Sequence, residues 1–312
     1  MKSGMGCRSR CRNLNLALTQ PTPGPKLVGG EANVFGRLSR LPVLRPSTLK
    51  LLAVSLESDS ALFEFETAFK SDPVLAADLL IVANSPLFGM RGTVQGIRHA
   101  IAMLGLERVR SLALTIAMRT YMRSGRWNQL IRGPWRHSIA TAVIAETLEA
   151  AEQTQVPLLY TAGLMHDVGR LALLQISPDK YSQVLSGQFS SIQEYLHMET
   201  FLFDCAHDDA GAFLAMAWGL PISLCDCIRF HHWDVAAHAG RLFELVAIAC
   251  RLADILGYPE VQRTNIEEGP DAITSLLPPR LRNSPALAPL ALRAKIEAQL
   301  VNFPAANQSL KN

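Results

Sequence analysis

The chain has 312 residues, of which 49% are hydrophobic, and a formal net charge of +3, which is ample material for one large core or two modest ones. Its apolar runs, such as Leu79 to Ala83, fall far short of the roughly 20 residues a membrane span requires, and Leu14 to Leu18 is too short for a secretory signal, so a cytoplasmic location is expected. Six cysteines are scattered without a disulfide framework: Cys7 and Cys11 lie in the N-terminal tail, and Cys205, Cys225, Cys227 and Cys250 sit in apolar helical patterns, where free cysteine behaves as a small hydrophobe.

Residues 1–50 carry nine Lys and Arg against Glu31 alone, a balance of +8, which leaves the rest of a +3 chain at −5. A basic tail can touch nucleic acid or anionic lipid. With Pro21, Pro23, Gly24 and Pro25 following, residues 1–36 read instead as a solvated, disordered extension, and nucleic acid is not an expected partner.

Beyond the tail the pattern is helix after helix, with no sustained period-2 alternation. Asp72 before Pro73 reads as an N-cap with proline at N1, opening a helix through Leu75, Leu79 and Val82 that Asn84-Ser85-Pro86 stops. Thr93 is placed to cap the next helix and Gly105 to end it. Leu106 to Met122 forms another, closed at Ser124-Gly125. Residues 37–125 thus read as a helical lobe without candidate catalytic groups; its His99, beside Arg98, reads as surface.

A second lobe, residues 126–258, carries the chemistry. From His137, the positions Thr141, Ile144 and Leu148 follow at helical spacing, so the imidazole lies on a buried face. His207 stands in the same relation to Gly211, Leu214 and Trp218, and Asp254 aligns with Cys250, Ala247 and Phe243. Neighbours on a helix diverge by about 100°, so His166 and Asp167 share a target only if a helix ends there, as Gly169 suggests. Cys225 and Cys227 point about 200° apart on a helix and cannot chelate one ion. Trp127, Trp135, Trp218 and Trp233 read as core, with interface anchoring as the alternative. Residues 259–312 form a C-terminal extension: proline-rich loop, one amphipathic helix over Ala286 to Val301, and a frayed end from Ala305.

Five of the eight histidines, His137, His166, His207 and the adjacent pair His231-His232, with Asp167 and Asp254, occupy positions where a core prefers Leu. Each alone reads as a satisfied core side chain or a cap. Together they need a shared partner, because an unpaired buried polar group costs roughly 2–7 kcal/mol, and one or two metal ions would serve.

The order His137, His166-Asp167, His207, His231-His232, Asp254 resembles the ligand order of the HD superfamily of metal-dependent phosphohydrolases, and within it the HDOD family. The likeness runs from Leu41-Pro42 to Gly257 and includes Ser71-Asp72-Pro73, Ala83-Asn84-Ser85, Ala100 to Gly105, Gly163 to Gly169, Glu199, His207 to Gly211 and Trp218 to Pro221. It implies an all-α, two-lobed protein: an N-terminal HDOD lobe joined to an HD-like lobe. It also implies His137, His166, Asp167, His207, His231, His232 and Asp254 as metal ligands, with Asp167 able to bridge two ions. Imidazole and carboxylate without thiolate suit Fe, Mn, Ni, Co or Zn.

Two readings follow from the resemblance. In the first, the chain is an output or adaptor module of bacterial signalling that contacts partner proteins, with a nucleotide or second messenger as a further ligand. In the second it is a metal-dependent phosphohydrolase, with Asp167 and Arg170 in catalytic roles; metal-bound water would be the nucleophile, since no nucleophilic triad is evident and Gly29-Gly30 lacks the rest of a phosphate-binding loop. Phosphodiesterases of cyclic di-GMP are similar in the ligand set but continue after the His pair with Glu and a Gly-Tyr-Pro loop. Here Trp233-Asp234-Val235 follows, Arg170 replaces Lys, and Gly257-Tyr258-Pro259 comes after Asp254 and reads as a helix stop.

Overall fold

Asp72 shows how the first lobe is assembled. Its carboxylate accepts the Leu75 backbone N–H at 3.0 Å, capping the helix that Pro73 opens, and also takes Ser47 Oγ at 2.7 Å and Arg45 at 2.9 Å. One cap thereby ties two helices together. The structure, a computed structural model, describes residues 33–89, 93–123, 130–232, 240–264 and 270–303; residues 1–32 of the basic tail, the Ser124-Gly125 break, Trp127, Trp233 and the segment from Ala305 lie outside them. By contrast, the end of the stretch read as a disordered extension to residue 36 is helical from Val34, because Asn33 caps it and Val34 and Leu38 are buried.

The first lobe contains α2 (Pro46–Ala53), α3 (Ala61–Lys70), α4 (Pro73–Ala83), α5 (Ile97–Leu104) and α6 (Leu106–Arg123), preceded by α1 (Val34–Leu38), which packs against the second lobe. Helices α2, α4 and α5 surround α6, whose Val109, Leu112, Ala113, Leu114, Ile116 and Met118 are all buried. Gly105, at φ +81°, ends α5 as expected. Thr93 is not the cap of that helix: α5 starts four residues later, with Gly96 at the N-cap. Asn84 is the reason, since its side chain bonds both the N–H and the carbonyl of Val94, at 2.7 and 3.0 Å, and holds that segment out of the helix.

The second lobe is built on α7 (Arg132–Glu152), which is apolar on nearly every side and buried accordingly. Around it come α8 (Leu159–Met165), α9 (Val168–Ile176), α10 (Pro178–Ser186), α11 (Ile192–Phe203), α12 (His207–Ala217), α13 (Ile222–Phe230) and α14 (Arg241–Ile255). A short parallel pair, β1 (Gln188–Phe189) with β2 (Gln262–Arg263), fixes the chain after α14 beside the start of α11. Trp135 and Trp218 are core residues, and His99 is exposed.

After α15 (Pro270–Leu276), the last helix α16 (Pro289–Asn302) packs on α7 through Leu292, Ile296 and Leu300. Its start is three residues later than the pattern predicts. Pro285 to Leu287 forms a 3-10 turn, Ala288 is extended, and Pro289 takes the N1 position. The fold is all-α and two-lobed, and no helix among the described residues is long and apolar enough to cross a membrane.

Candidate metal centre

Close backbone approach, made possible by glycine, brings the elements of the site together. A Cβ on Gly163 would stand 2.9 Å from Ala142 Cα, so α8 can lie directly on α7, which carries His166 to His137. A Cβ on Gly169 would fall 1.8 Å from the His207 carbonyl oxygen and 2.6 Å from the Gly211 backbone nitrogen. Gly169 therefore does not stop a helix. It lies in the first turn of α9, where α12 touches it, and the break between His166 and Asp167 comes from α8 ending at Met165 and α9 starting at Val168.

Three imidazoles are oriented in the same way. His137 Nδ1 lies 2.7 Å from the Tyr258 carbonyl, His166 Nδ1 2.8 Å from that of Gly163, and His231 Nδ1 2.7 Å from that of Ile228. A carbonyl only accepts, so each Nδ1 donates and each Nε2 is left with a lone pair. His207 Nδ1 faces Glu199 Oε2 at 2.6 Å, which orients its Nε2 likewise. Such outer partners are characteristic of metal-ligating histidines.

The Nε2 atoms converge. His137 and His166 stand 3.1 Å apart, His207 and His232 3.0 Å, and His207 and His231 3.4 Å. Asp167 Oδ1 is 3.2 Å from His207 Nε2 and 3.3 Å from His231 Nε2, and Oδ2 is 3.8 Å from His137 and 3.7 Å from His166. Two nitrogens on one ion with bonds of about 2.1 Å are roughly 3.0–3.4 Å apart. Neither Asp167 oxygen has a well-aligned hydrogen bond; Arg170 pairs with Oδ2 from behind, and on the side facing His137, His166 and His231 lone pairs meet lone pairs. The donor set fits a divalent transition metal: Asp167, His207, His231 and His232 form one group, and His137 and His166 with Cys250 form a second beside it.

All of these side chains except His232 are under 5% exposed, and burial governs their electrostatics. It pushes His166 down to about 3, reinforced by His231 and His137, and holds His232 well below the usual imidazole range. His207 goes the other way, up to about 9: burial and Arg170 oppose its charge, but Glu199 and Asp167 at its two ring nitrogens outweigh them. Burial likewise works against Asp167, yet Arg170 and the histidines hold its carboxyl well below the usual range. The Cys250 thiol, 3.5 Å from His137 Nε2, is held protonated by burial with Glu260 and Asp167 nearby.

Arg170 stands behind the centre. Its Nε is 3.0 Å from Asp167 Oδ2, its Nη1 donates to Glu199 Oε1 at 3.1 Å and Tyr181 Oη at 3.3 Å, and its guanidinium lies over the Tyr195 ring. It is fully buried and orients Asp167 and Glu199. Asp254 is on the far side of His137, 3.5 Å from Nδ1, with its other oxygen paired to Arg263; it does not face the Nε2 cluster.

Sequence reading assigned no site role to Tyr195, Glu260 or Arg263; Glu199 entered only as part of the family likeness and Cys250 only as a small hydrophobe. Tyr195 and Glu199 are four residues apart on the buried face of α11, so a charged residue on an apolar stripe was a usable signal. Glu260 and Arg263 lie outside any helix and offered none.

The HDOD domain model matches residues 41–233, more than half of the chain. An uncharacterized protein of Treponema pallidum is 26% identical over 203 residues, 64% of this chain, but the chain spans only 39% of that relative's length. Among solved structures, an HDOD domain protein of unknown function from Geobacter sulfurreducens superposes with a TM-score of 0.64 at 23% identity, covering 85% of this chain and 94% of its own. A candidate phosphohydrolase from Shewanella amazonensis gives 0.62 at 22% identity over 88% and 96%. At these identities the structural likeness shows the fold alone. With the family match spanning both lobes and the ordered His and Asp residues, the chain belongs to the HDOD domain family.

Proposed function

We propose that this chain is a metal-holding output module of bacterial signal transduction that acts through contacts with partner proteins. The observation that carries this reading is the buried convergence of lone pairs on Asp167: the cluster is built to hold a cation, yet all of it but His232 is under 5% exposed. Its first role is to tie α7, α9 and α12 and the ends of α8 and α13 into one rigid surface. The first lobe, which holds none of the ligand clusters found among the described residues, supplies more surface for partners. The ligands are His137, His166, Asp167, His207, His231 and His232, with Asp254 on the second face of His137, and the ion is Fe, Mn, Ni, Co or Zn.

A second reading, metal-dependent phosphohydrolase, is favoured by the half-buried His232, whose Nε2 lies 3.0 Å from Tyr195 Oη. A bound ion would supply Lewis acidity and a water nucleophile at neutral pH. This chain would contribute Asp167, held ionised by Arg170, and an approach beside His232. A structural neighbour described as a candidate phosphohydrolase keeps this reading open.

Elemental analysis of the full chain together with bis(4-nitrophenyl) phosphate and cyclic di-GMP as substrates tests both. Bound metal without turnover is expected, and cyclic di-GMP in particular should survive because the Glu and Gly-Tyr-Pro loop after the His pair are missing. Turnover that disappears in Asp167→Asn would establish the phosphohydrolase reading. In cells, Leu79→Ala, which loosens the first lobe, should abolish signalling if the protein is an adaptor.

A further inference from the structure

We propose that Cys250 is a metal ligand, its thiolate joining His137 and His166 in a zinc position beside the group of Asp167, His207, His231 and His232. This rests on the reading of the cluster as a metal centre, and in it Cys250 takes the place of Asp254 as the ligand that α14 supplies.

Cys250 and Asp254 stand one turn apart on α14 and approach different nitrogens of His137. His137 Nδ1 lies 2.7 Å from the Tyr258 carbonyl and donates to it, and Asp254 Oδ1 is 3.5 Å from that same nitrogen. Asp254 therefore faces an N–H, and its other oxygen is paired with Arg263. Cys250 Sγ lies 3.5 Å from Nε2, the nitrogen that keeps the lone pair. His166 Nε2 is 3.1 Å from His137 Nε2, and the two imidazole nitrogens and the sulfur are all within 4.8 Å of one another.

These are separations of ligands on one ion. With Zn–S of about 2.3 Å and Zn–N of about 2.0–2.1 Å at tetrahedral angles, sulfur and nitrogen stand about 3.6 Å apart and two nitrogens about 3.3 Å. Asp167 Oδ2, 3.8 and 3.7 Å from the same two nitrogens, supplies an oxygen donor from the carboxylate shared with the other group. A thiol that only filled space would leave the site unsatisfied. Its one hydrogen can go to His137 Nε2, but His166, whose Nδ1 is engaged by the Gly163 carbonyl, would keep a bare lone pair on a fully buried ring. One cation serves both nitrogens and the sulfur. On coordination the thiol gives its proton to the buffer, as a metal-bound thiol does even where burial alone would keep it.

Sulfur also changes which ion the position selects. Thiolate with imidazole suits Zn²⁺, whereas oxygen-rich sites suit Mn²⁺. Cys205, Cys225 and Cys227 are buried as well, yet among the described residues none of them belongs to a ligand group, so a metal–sulfur signal from the folded body reports Cys250.

The test is Co²⁺ loading of the metal-stripped full chain, read by absorption spectroscopy, together with X-ray absorption of the Zn²⁺-loaded wild type. Co²⁺ held by Cys250 should give a sulfur-to-cobalt charge-transfer band in the near ultraviolet. Cys250→Ser should lose that band and keep the Co²⁺ held by Asp167, His207, His231 and His232, and the retained ion is the control for folding. A double variant, Cys7→Ser with Cys11→Ser, should keep the band. In the wild type, X-ray absorption should find one sulfur per chain at about 2.3 Å from zinc, a result that needs no variant to fold. Bound Co²⁺ without the band, or a band that survives Cys250→Ser, would overturn the proposal and leave the metal-centre reading in place. A wild type that takes up no Co²⁺ would overturn the metal-centre reading itself, and the zinc position with it.

Discussion

Between α1 and α6 the buried side chains are almost all apolar, and ion pairs such as Arg98 with Glu66 and Arg45 with Asp72 keep a partner towards solvent. Arg110 is the buried charge of that lobe, and it reaches Glu107 and the Val54 carbonyl. Between α7 and α14 the interior holds His137, His166, Asp167, Arg170, Glu199, His207, His231 and Asp254. The first lobe is held by burial of apolar surface, which responds to cavities and hardly to pH or ions. On the metal-centre proposal, the second makes part of its stability conditional on what fills its centre, so that one protein joins a lobe whose stability is fixed to one whose stability is linked to a ligand.

The largest expected effect tests the first half of that contrast. Leu79 is fully buried under α6, and Leu79→Ala should cost about 2–5 kcal/mol in urea unfolding, equally with metal present or chelated. A strong chelator dependence would show that the lobes are coupled. Next comes Gly169→Ala, which drives a methyl into the His207 backbone. A loss of about 3 kcal/mol, at the top of the usual overpacking range, should come with release of metal, since α9 and α12 must separate.

Chelation should remove about 2.7 kcal/mol when free metal stands at 100 times Kd. Hydrogen exchange should rise in α7, α8, α9 and α12 and stay low in α6. Glu199→Gln sharpens the comparison further: by slackening His207 it should weaken metal affinity about 10–100-fold, read by competition with a fluorescent chelator, while Leu79→Ala leaves affinity unchanged.

The last effect appears only in the metal-stripped protein. His207 rises from 6.5 to about 9 on folding, so its stabilisation is complete below pH 6.5 and is lost as pH climbs through 9. His166 falls from 6.5 to about 3, so its stabilisation is complete above pH 6.5 and is lost as pH drops towards 3. Stability should therefore peak near pH 6.5 and decline on both sides. Urea midpoints across this range in chelator, flattening once metal is restored, would check it.

The buried faces of His137 and His207 were legible in the sequence because an imidazole on an apolar helical stripe conflicts with its own pattern, while His166, Asp167, His231 and His232 entered through a chain order that resembles a known ligand order. The helix caps at Asp72 and Gly105 were legible for a similar reason: each is decided within four residues. Thr93 misled because Asn84, nine residues earlier, takes the backbone that a cap would have used. Gly169 was noticed for the wrong property, since its missing side chain serves the backbone of α12 and not a left-handed turn. Asp254 and Glu260 meet only because β2 pairs with β1, more than 70 residues away in the chain. Spacing along a helix fixes which face a residue occupies, so the sequence determined the fold class and most of the buried polar set. Which faces touch, and hence which of those groups share an ion, depends on how closely separate helices approach, and only the tertiary structure decided that.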